Sequence, residues 1–183
     1  LWLSQTVDLS GTRPSDIVRI FVVALKIGGT EAVLRHLLEP MLTKPSLRAL
    51  LVDDPKEITL GSIKTGGLRI RHPSGKIIEV MPIPLDRAGG SAVSVYCAGV
   101  VVDEYPRMVG AEDGVRNVEH FREAVIGRLL PGAIFLATGS PWQPYGPAYD
   151  NTIKSFGKPS EDLVVLRTSA KPFVGIAPAW TQG

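Results

Sequence analysis

Two adjacent carboxylates follow an apolar run near the middle of the chain. In VVVDEYPRM, residues 100–108, three valines precede Asp103 and Glu104. A run of β-branched residues predicts a buried strand, and because the interior of a sheet is a poor place for charge, the carboxylates are expected where the strand ends. Such a pair can divide the work of hydrolysis, with Asp103 binding Mg²⁺ and Glu104 polarising the attacking water as a general base. A solvated strand end without a metal is the alternative.

A glycine-containing loop follows an earlier apolar run. IVRIFVVAL, residues 17–25, predicts a strand. The apolar residues of the segment after KIGGT have helical spacing, with Thr30 as the expected cap. A glycine loop between a strand and a helix presents backbone N–H groups and the positive end of the helix dipole to an anion, usually phosphate. The candidate nucleotide-binding residues are Lys26, Gly28, Gly29 and Thr30, and the Thr30 hydroxyl is also a candidate Mg²⁺ ligand.

A third segment ends in small polar residues. AIFLATGS, residues 133–140, predicts another buried strand. Thr138 and Ser140 could hydrogen-bond a γ-phosphate or the hydrolytic water. A plain turn before Pro141 is the alternative. Because ligands bind outside the carboxyl ends of the strands in open parallel sheets, the three segments are expected to share one crevice.

The elements that must position these residues alternate between strands and helices. Further strands are predicted over 47–54 and 162–170, a two-stranded hairpin over 68–83 and a helix over 115–130. Alternation of this kind predicts a mostly parallel sheet covered by helices on both faces, an α/β domain.

Composition limits the classes of protein to consider. A chain of 183 residues that is 44% hydrophobic suits one globular domain, and a net charge of +2 neither requires nor excludes nucleic acid. The single cysteine, Cys97, excludes a disulfide framework and is expected in the core. No apolar run reaches the ~18 residues of a membrane span and no secretory signal is visible, so a cytoplasmic protein is expected.

The order of the motifs resembles the ATPase domain of phage terminase large subunits, the motors that drive DNA into procapsids. VVVDEYPRM is similar to the family's Walker B strand, and ATGSP, residues 137–141, to its coupling motif. The hairpin followed by DRAGG, and the helix between the two motifs, also occur in the family's order. The resemblance spans roughly residues 15–150 and depends on this ordered combination.

The resemblance implies a P-loop NTPase-like fold with an inserted β-hairpin, which binds ATP and Mg²⁺ and hydrolyses ATP. It assigns coupling to Thr138, Gly139 and Ser140, and it makes Arg87 a catalytic arginine finger that reaches a neighbouring subunit. A surface arginine in a flexible loop is the alternative for Arg87.

The family also implies partners. These are double-stranded DNA, a terminase small subunit, a portal protein and further copies of the chain in a ring, all in the host cell cytoplasm. The basic hairpin residues Arg69, Arg71 and Lys76 could meet DNA phosphates or form a solvated face. Because the chain leaves no room for the family's nuclease, residues 1–183 are expected to be a single ATPase domain, a fragment of a longer chain.

The phosphate loop departs from the G-x-x-x-x-G-K-[ST] pattern. Val23 stands at the first glycine position and Gly29 at the lysine position. Either Lys26 curls back over the phosphates, or the loop is degenerate. Two other functions therefore stay open: a helicase-like P-loop translocase, and a catalytically degenerate nucleotide-binding or assembly module.

Overall fold

The computed structural model describes residues 1–85, 95–110, 114–140, 144–160 and 163–165. It divides into two units, Leu1–Trp142 and Gln143–Gly183. The helices of the first unit are α1 Leu3–Thr6, α2 Ile27–Thr43, α3 Pro45–Arg48, α4 Leu60–Gly66 and α5 Gly114–Ile126, with a 3₁₀ helix over Tyr105–Gly110. Its strands are β1 Val18–Ala24, β2 Leu68–Arg71, β3 Ile77–Pro84, β4 Tyr96–Val102 and β5 Phe135–Ala137. No helix in the described ranges is long and apolar enough to cross a membrane.

The strands form one mixed, mostly parallel sheet in the order β2-β3-β1-β4-β5. Strand β1 runs parallel to β3 and β4, and β4 runs parallel to β5. Strands β2 and β3 form the antiparallel hairpin, whose turn contains Gly75 with a φ of 85°. The predicted α/β architecture with a mostly parallel sheet, flanking helices and a hairpin is confirmed.

The central strand β1 packs helices on both faces of the sheet because its side chains alternate in direction. Ile20 and Val22 belong to the core cluster that contains Leu34 of α2. Phe21 points the other way and meets Phe121 of α5 edge-on, with ring centroids 6.0 Å apart. Helices α2 and α5 therefore cover opposite faces of the sheet.

The prediction of a strand over residues 47–54 is wrong. Residues Pro45–Arg48 form α3, because proline is preorganised for the first turn of a helix. Beyond that helix, Leu51 forms only an isolated antiparallel bridge with Ile70. The apolar run contributes Leu51 to the core cluster, and its backbone bonds β2 on either side of that bridge, from Val52 N–H to the Arg69 carbonyl and from Arg71 N–H to the Leu50 carbonyl.

Two further expectations need correction. The strand predicted as buried over 133–140 is confined to Phe135–Ala137 and is an edge strand of the described sheet, with Ile134 and Leu136 exposed by 43% and 45%. Helix α2 begins at Ile27 after Lys26, so Thr30 lies inside the helix and does not cap it.

In the second unit, helix α6 spans Pro147–Ser155 and starts after Gly146, whose φ is 92°. Proline at its first turn again favours helix initiation. Of the strand predicted over 162–170, Val165 forms an isolated parallel bridge with Phe156, and the remainder from residue 166 onward lies outside the described residues.

Candidate functional site

The carboxyl ends of three neighbouring strands lie at one edge of the sheet. The parallel register aligns Val23 with Val102 and Val102 with Ala137. Because α2 and α5 lie on opposite faces, the strand order reverses between β1 and β4, which is where open α/β sheets bind ligands. The residues that follow β1, β4 and β5 therefore surround the position where a ligand is expected.

Asp103 is fixed at this edge by its neighbours. Its backbone N–H donates a hydrogen bond of 2.9 Å to the Val23 carbonyl. The Thr138 hydroxyl donates a long hydrogen bond of 3.4 Å to Asp103 Oδ1, and the Thr138 N–H bonds the Val102 carbonyl at 2.9 Å. The structure thus brings together two residues that the sequence predicted to share a site.

Glu104 turns the chain sharply away from β4. Its φ of 54° is the one positive φ of a non-glycine residue in the described ranges. A left-handed conformation costs a non-glycine residue ~1–3 kcal/mol and persists where the surroundings fix it. Here Tyr105 is buried and its N–H donates a 2.8 Å hydrogen bond to the Thr138 carbonyl. Backbone strain of this kind is typical of functional sites.

Arg107 is a site residue that the sequence reasoning missed. Its Nε lies 2.8 Å from Glu104 Oε2 in an ion pair. The Oε2 atom is shielded from solvent, and no described group gives it a well-aligned hydrogen bond, so the contact is electrostatic. An arginine three residues after a glutamate is a weak signal, because it becomes informative only once the intervening turn is known.

Gly139 packs directly on the turn that carries Glu104. A Cβ added at Gly139 would lie 2.5 Å from Pro106 Cδ and 3.1 Å from Glu104 Cα, and its φ is 150°. Both the close approach and the backbone conformation require glycine. The predicted coupling residue is therefore in contact with the predicted general base, while Ser140 follows it as an exposed residue.

The predicted phosphate loop is short. Only Leu25 and Lys26 separate β1 from α2. Lys26 is exposed at the N-cap position. Gly29 is explained by packing, because a Cβ there would lie 2.9 Å from the Ala24 Cβ, whereas a Cβ at Gly28 would meet nothing within 4 Å.

Thr30, the candidate Mg²⁺ ligand, lies near the start of α2. Its side chain is fully buried in α2. A cation at this edge would meet Asp103 and the nearby Thr138 hydroxyl, which are oxygen donors of the type that Mg²⁺ prefers. In the described part of the chain, no group of three or more histidine, cysteine or acidic residues could hold a metal ion. Asp103 and Thr138 therefore fit a Mg²⁺ ion that takes its remaining ligands from water and phosphate, and they do not form a complete metal site by themselves.

The basic residues of the hairpin stand apart from this edge. The candidate arginine finger, Arg87, lies outside the described residues. In the hairpin, Arg69 forms an ion pair with Asp53, and this pair holds the pKa of Asp53 below its usual range. Lys76 donates to the Leu9 carbonyl at 2.8 Å. Two of the three basic hairpin residues thus have partners within the fold.

Burial raises the pKa of the Cys97 thiol to about 11. A thiol that stays protonated at neutral pH is a poor nucleophile. The expected core position of Cys97 is confirmed, since the residue is fully buried in β4.

No family model matches the chain, and no match was found among curated proteins or solved structures. The chemistry of the strand ends is therefore the ground on which a function can be argued.

Proposed function

We propose that this chain is the ATPase domain of a terminase-type DNA-packaging motor, which couples hydrolysis of Mg-ATP to movement of double-stranded DNA. One observation carries the proposal. Asp103 and Glu104 directly follow strand β4 at the reversal of strand order, and Asp103 is hydrogen-bonded by Thr138, which directly follows β5.

The residues have separate roles. Asp103 and Thr138 supply oxygen atoms for Mg²⁺, which would neutralise charge on the phosphates when bound. Glu104 polarises the attacking water. Lys26 and the positive end of the α2 helix dipole offer positive charge to the nucleotide. Of the N–H groups at the start of α2, that of Gly29 already donates to the Lys26 carbonyl at 3.0 Å.

The contact between Gly139 and Glu104 supports a coupling role for the end of β5. A shift of Gly139 would press on the Glu104 backbone, since the gap between them does not accommodate even a methyl group. In the assembled motor, Ser140 would belong to the same coupling segment. The portal protein, the small subunit, a ring of copies, Arg87 acting between subunits and a host cytoplasmic location belong to this proposal as well.

Steady-state ATP hydrolysis with Mg²⁺ tests the proposal directly. We expect Glu104→Ala to lower turnover by roughly 10²-fold or more, as loss of a general base does. Lys26→Ala should lower it as well. Lys64→Ala is the matched control, because Lys64 of α4 forms an ion pair with Glu31 of α2 and no functional role is assigned to it. The assay is run at high protein concentration and with double-stranded DNA, so that subunit contacts and DNA stimulation can be seen.

Full activity of Glu104→Ala would refute the assignment of the site. Nucleotide binding without hydrolysis in the wild type would favour the degenerate nucleotide-binding module. The burial of Thr30 and the short loop between β1 and α2 support that alternative. Strand separation coupled to hydrolysis would favour the helicase-like translocase instead.

A further inference from the structure

We propose that Arg107 is a positioning residue for Glu104, and that it orients the carboxylate so that Oε1 is the oxygen available to water. The inference rests on the proposed function, because it assigns a partner to the proposed general base. It starts from the ion pair in which Arg107 Nε lies 2.8 Å from Glu104 Oε2.

The backbone brings the two side chains together. The left-handed φ of Glu104 turns the chain into the 3₁₀ helix Tyr105–Gly110. In a 3₁₀ helix, residues three apart lie one above the other. The Arg107 N–H donates a 2.9 Å hydrogen bond to the Glu104 carbonyl, which sets this i,i+3 geometry. The pairing is therefore a consequence of how β4 ends.

The turn that holds the pair is anchored from two sides. Tyr105 and Met108 are buried beneath it. Thr138 accepts the Tyr105 N–H bond, and Gly139 packs against the Glu104 backbone. With the backbone fixed in this way, the position of the carboxylate depends on what holds its oxygens.

The two oxygens of Glu104 have different surroundings. Oε2 is shielded from solvent and faces Arg107, whereas the side chain as a whole is 43% exposed. A carboxylate oxygen engaged by a guanidinium is a poor proton acceptor, so Oε1 is left for a water molecule. Ion pairs between exposed side chains add little to stability. The contribution of Arg107 is therefore expected in turnover and not in folding.

Kinetics of matched variants test this role. Arg107→Ala should lower kcat by roughly 10- to 100-fold, the cost of a misplaced catalytic group, with KM changed by less than about twofold. Arg107→Lys, which keeps the charge but not the Nε geometry, should restore part of the loss. Arg19→Ala is the control, because it removes an arginine from another arginine–glutamate ion pair, that with Glu79, to which no functional role is assigned. In a Glu104→Gln background, Arg107→Ala should cost nothing further.

A second readout does not depend on hydrolysis. The Arg107 Nε–Hε signal in ¹H–¹⁵N spectra should change its chemical shift when Glu104→Gln removes the charge that lies 2.8 Å from Nε. A signal whose shift Glu104→Gln leaves unchanged would overturn the inference even if ATP is hydrolysed. So would a shifted signal combined with unchanged kcat in Arg107→Ala. A shifted signal in a chain whose wild type and Glu104→Gln variant are equally inactive would overturn the proposed function, and with it the positioning role, while leaving the ion pair as a structural contact.

Discussion

Replacing Gly139 with alanine tests the contact between the ends of β5 and β4. The added Cβ would approach Pro106 Cδ to 2.5 Å and Glu104 Cα to 3.1 Å. Overpacking of this kind costs ~1–3 kcal/mol. The φ of 150° adds strain of ~1–3 kcal/mol for a residue with a side chain. The sum, ~2–6 kcal/mol, is a large share of the ~5–15 kcal/mol that stabilises a typical domain.

The assay is urea unfolding of Gly139→Ala beside Gly75→Ala. Gly75 also has a positive φ, 85°, but a Cβ there would meet nothing within 4 Å, so its substitution reports strain alone, ~1–2 kcal/mol. We expect Gly139→Ala to unfold at clearly lower urea than Gly75→Ala and to lose turnover, because relief of the clash shifts the turn that contains both Pro106 and Glu104. Equal unfolding midpoints for the two variants would refute the contact and the coupling argument built on it.

Three further predictions concern the fold around the site. Phe121→Ala should destabilise the protein by ~3–5 kcal/mol in calorimetry, because the buried ring packs edge-on against Phe21, and a loss below ~1 kcal/mol would contradict that packing. Cys97 should react with iodoacetamide at pH 8 only after unfolding, since the pKa of its thiol is raised to about 11 in the native protein, and rapid native labelling would contradict its burial. Arg69 lowers the pKa of Asp53, so the stability from this pair is present above the usual carboxyl range and is lost as pH falls below ~4. Because the pair is exposed, we expect at most ~1 kcal/mol, seen as a difference between wild type and Arg69→Ala that disappears in acid unfolding.

The sequence predicted the elements whose pattern is long and consistent. The apolar run before Asp103 became β4, and the helix expected over 115–130 became Gly114–Ile126. The strand prediction over 47–54 failed because a short apolar run fits a strand as well as it fits a buried helical segment. Only tertiary packing decides that these residues form the end of a helix and an isolated bridge. The exposure of β5 was not predictable either, because apolar composition does not say whether a strand lies at the centre or the edge of a sheet.

The same distinction holds within the site. Parallel topology was enough to predict that Asp103 and Thr138 would share one crevice, because strand ends at one edge are neighbours, and the structure adds the hydrogen bond between them. The ion pair of Glu104 with Arg107 depends on a left-handed residue followed by a 3₁₀ turn. Non-glycine residues rarely adopt the left-handed conformation, so no local sequence pattern predicts it at Glu104.

The two glycines of the predicted phosphate loop can be separated by experiment. Gly29 is needed for packing on Ala24, whereas Gly28 is exposed and has room for a side chain. Gly28→Ala should therefore raise the free energy of unfolding by ~0.4–1 kcal/mol, because alanine has less freedom in the unfolded chain. If phosphate lies against the backbone at the start of α2, the same methyl group should weaken nucleotide binding, which isothermal calorimetry with Mg²⁺ and a non-hydrolysable nucleotide would detect. A variant that is more stable and binds nucleotide as tightly as the wild type would show that phosphates do not approach Gly28. The positive charge for the proposed reaction would then have to come from elsewhere than the start of this helix.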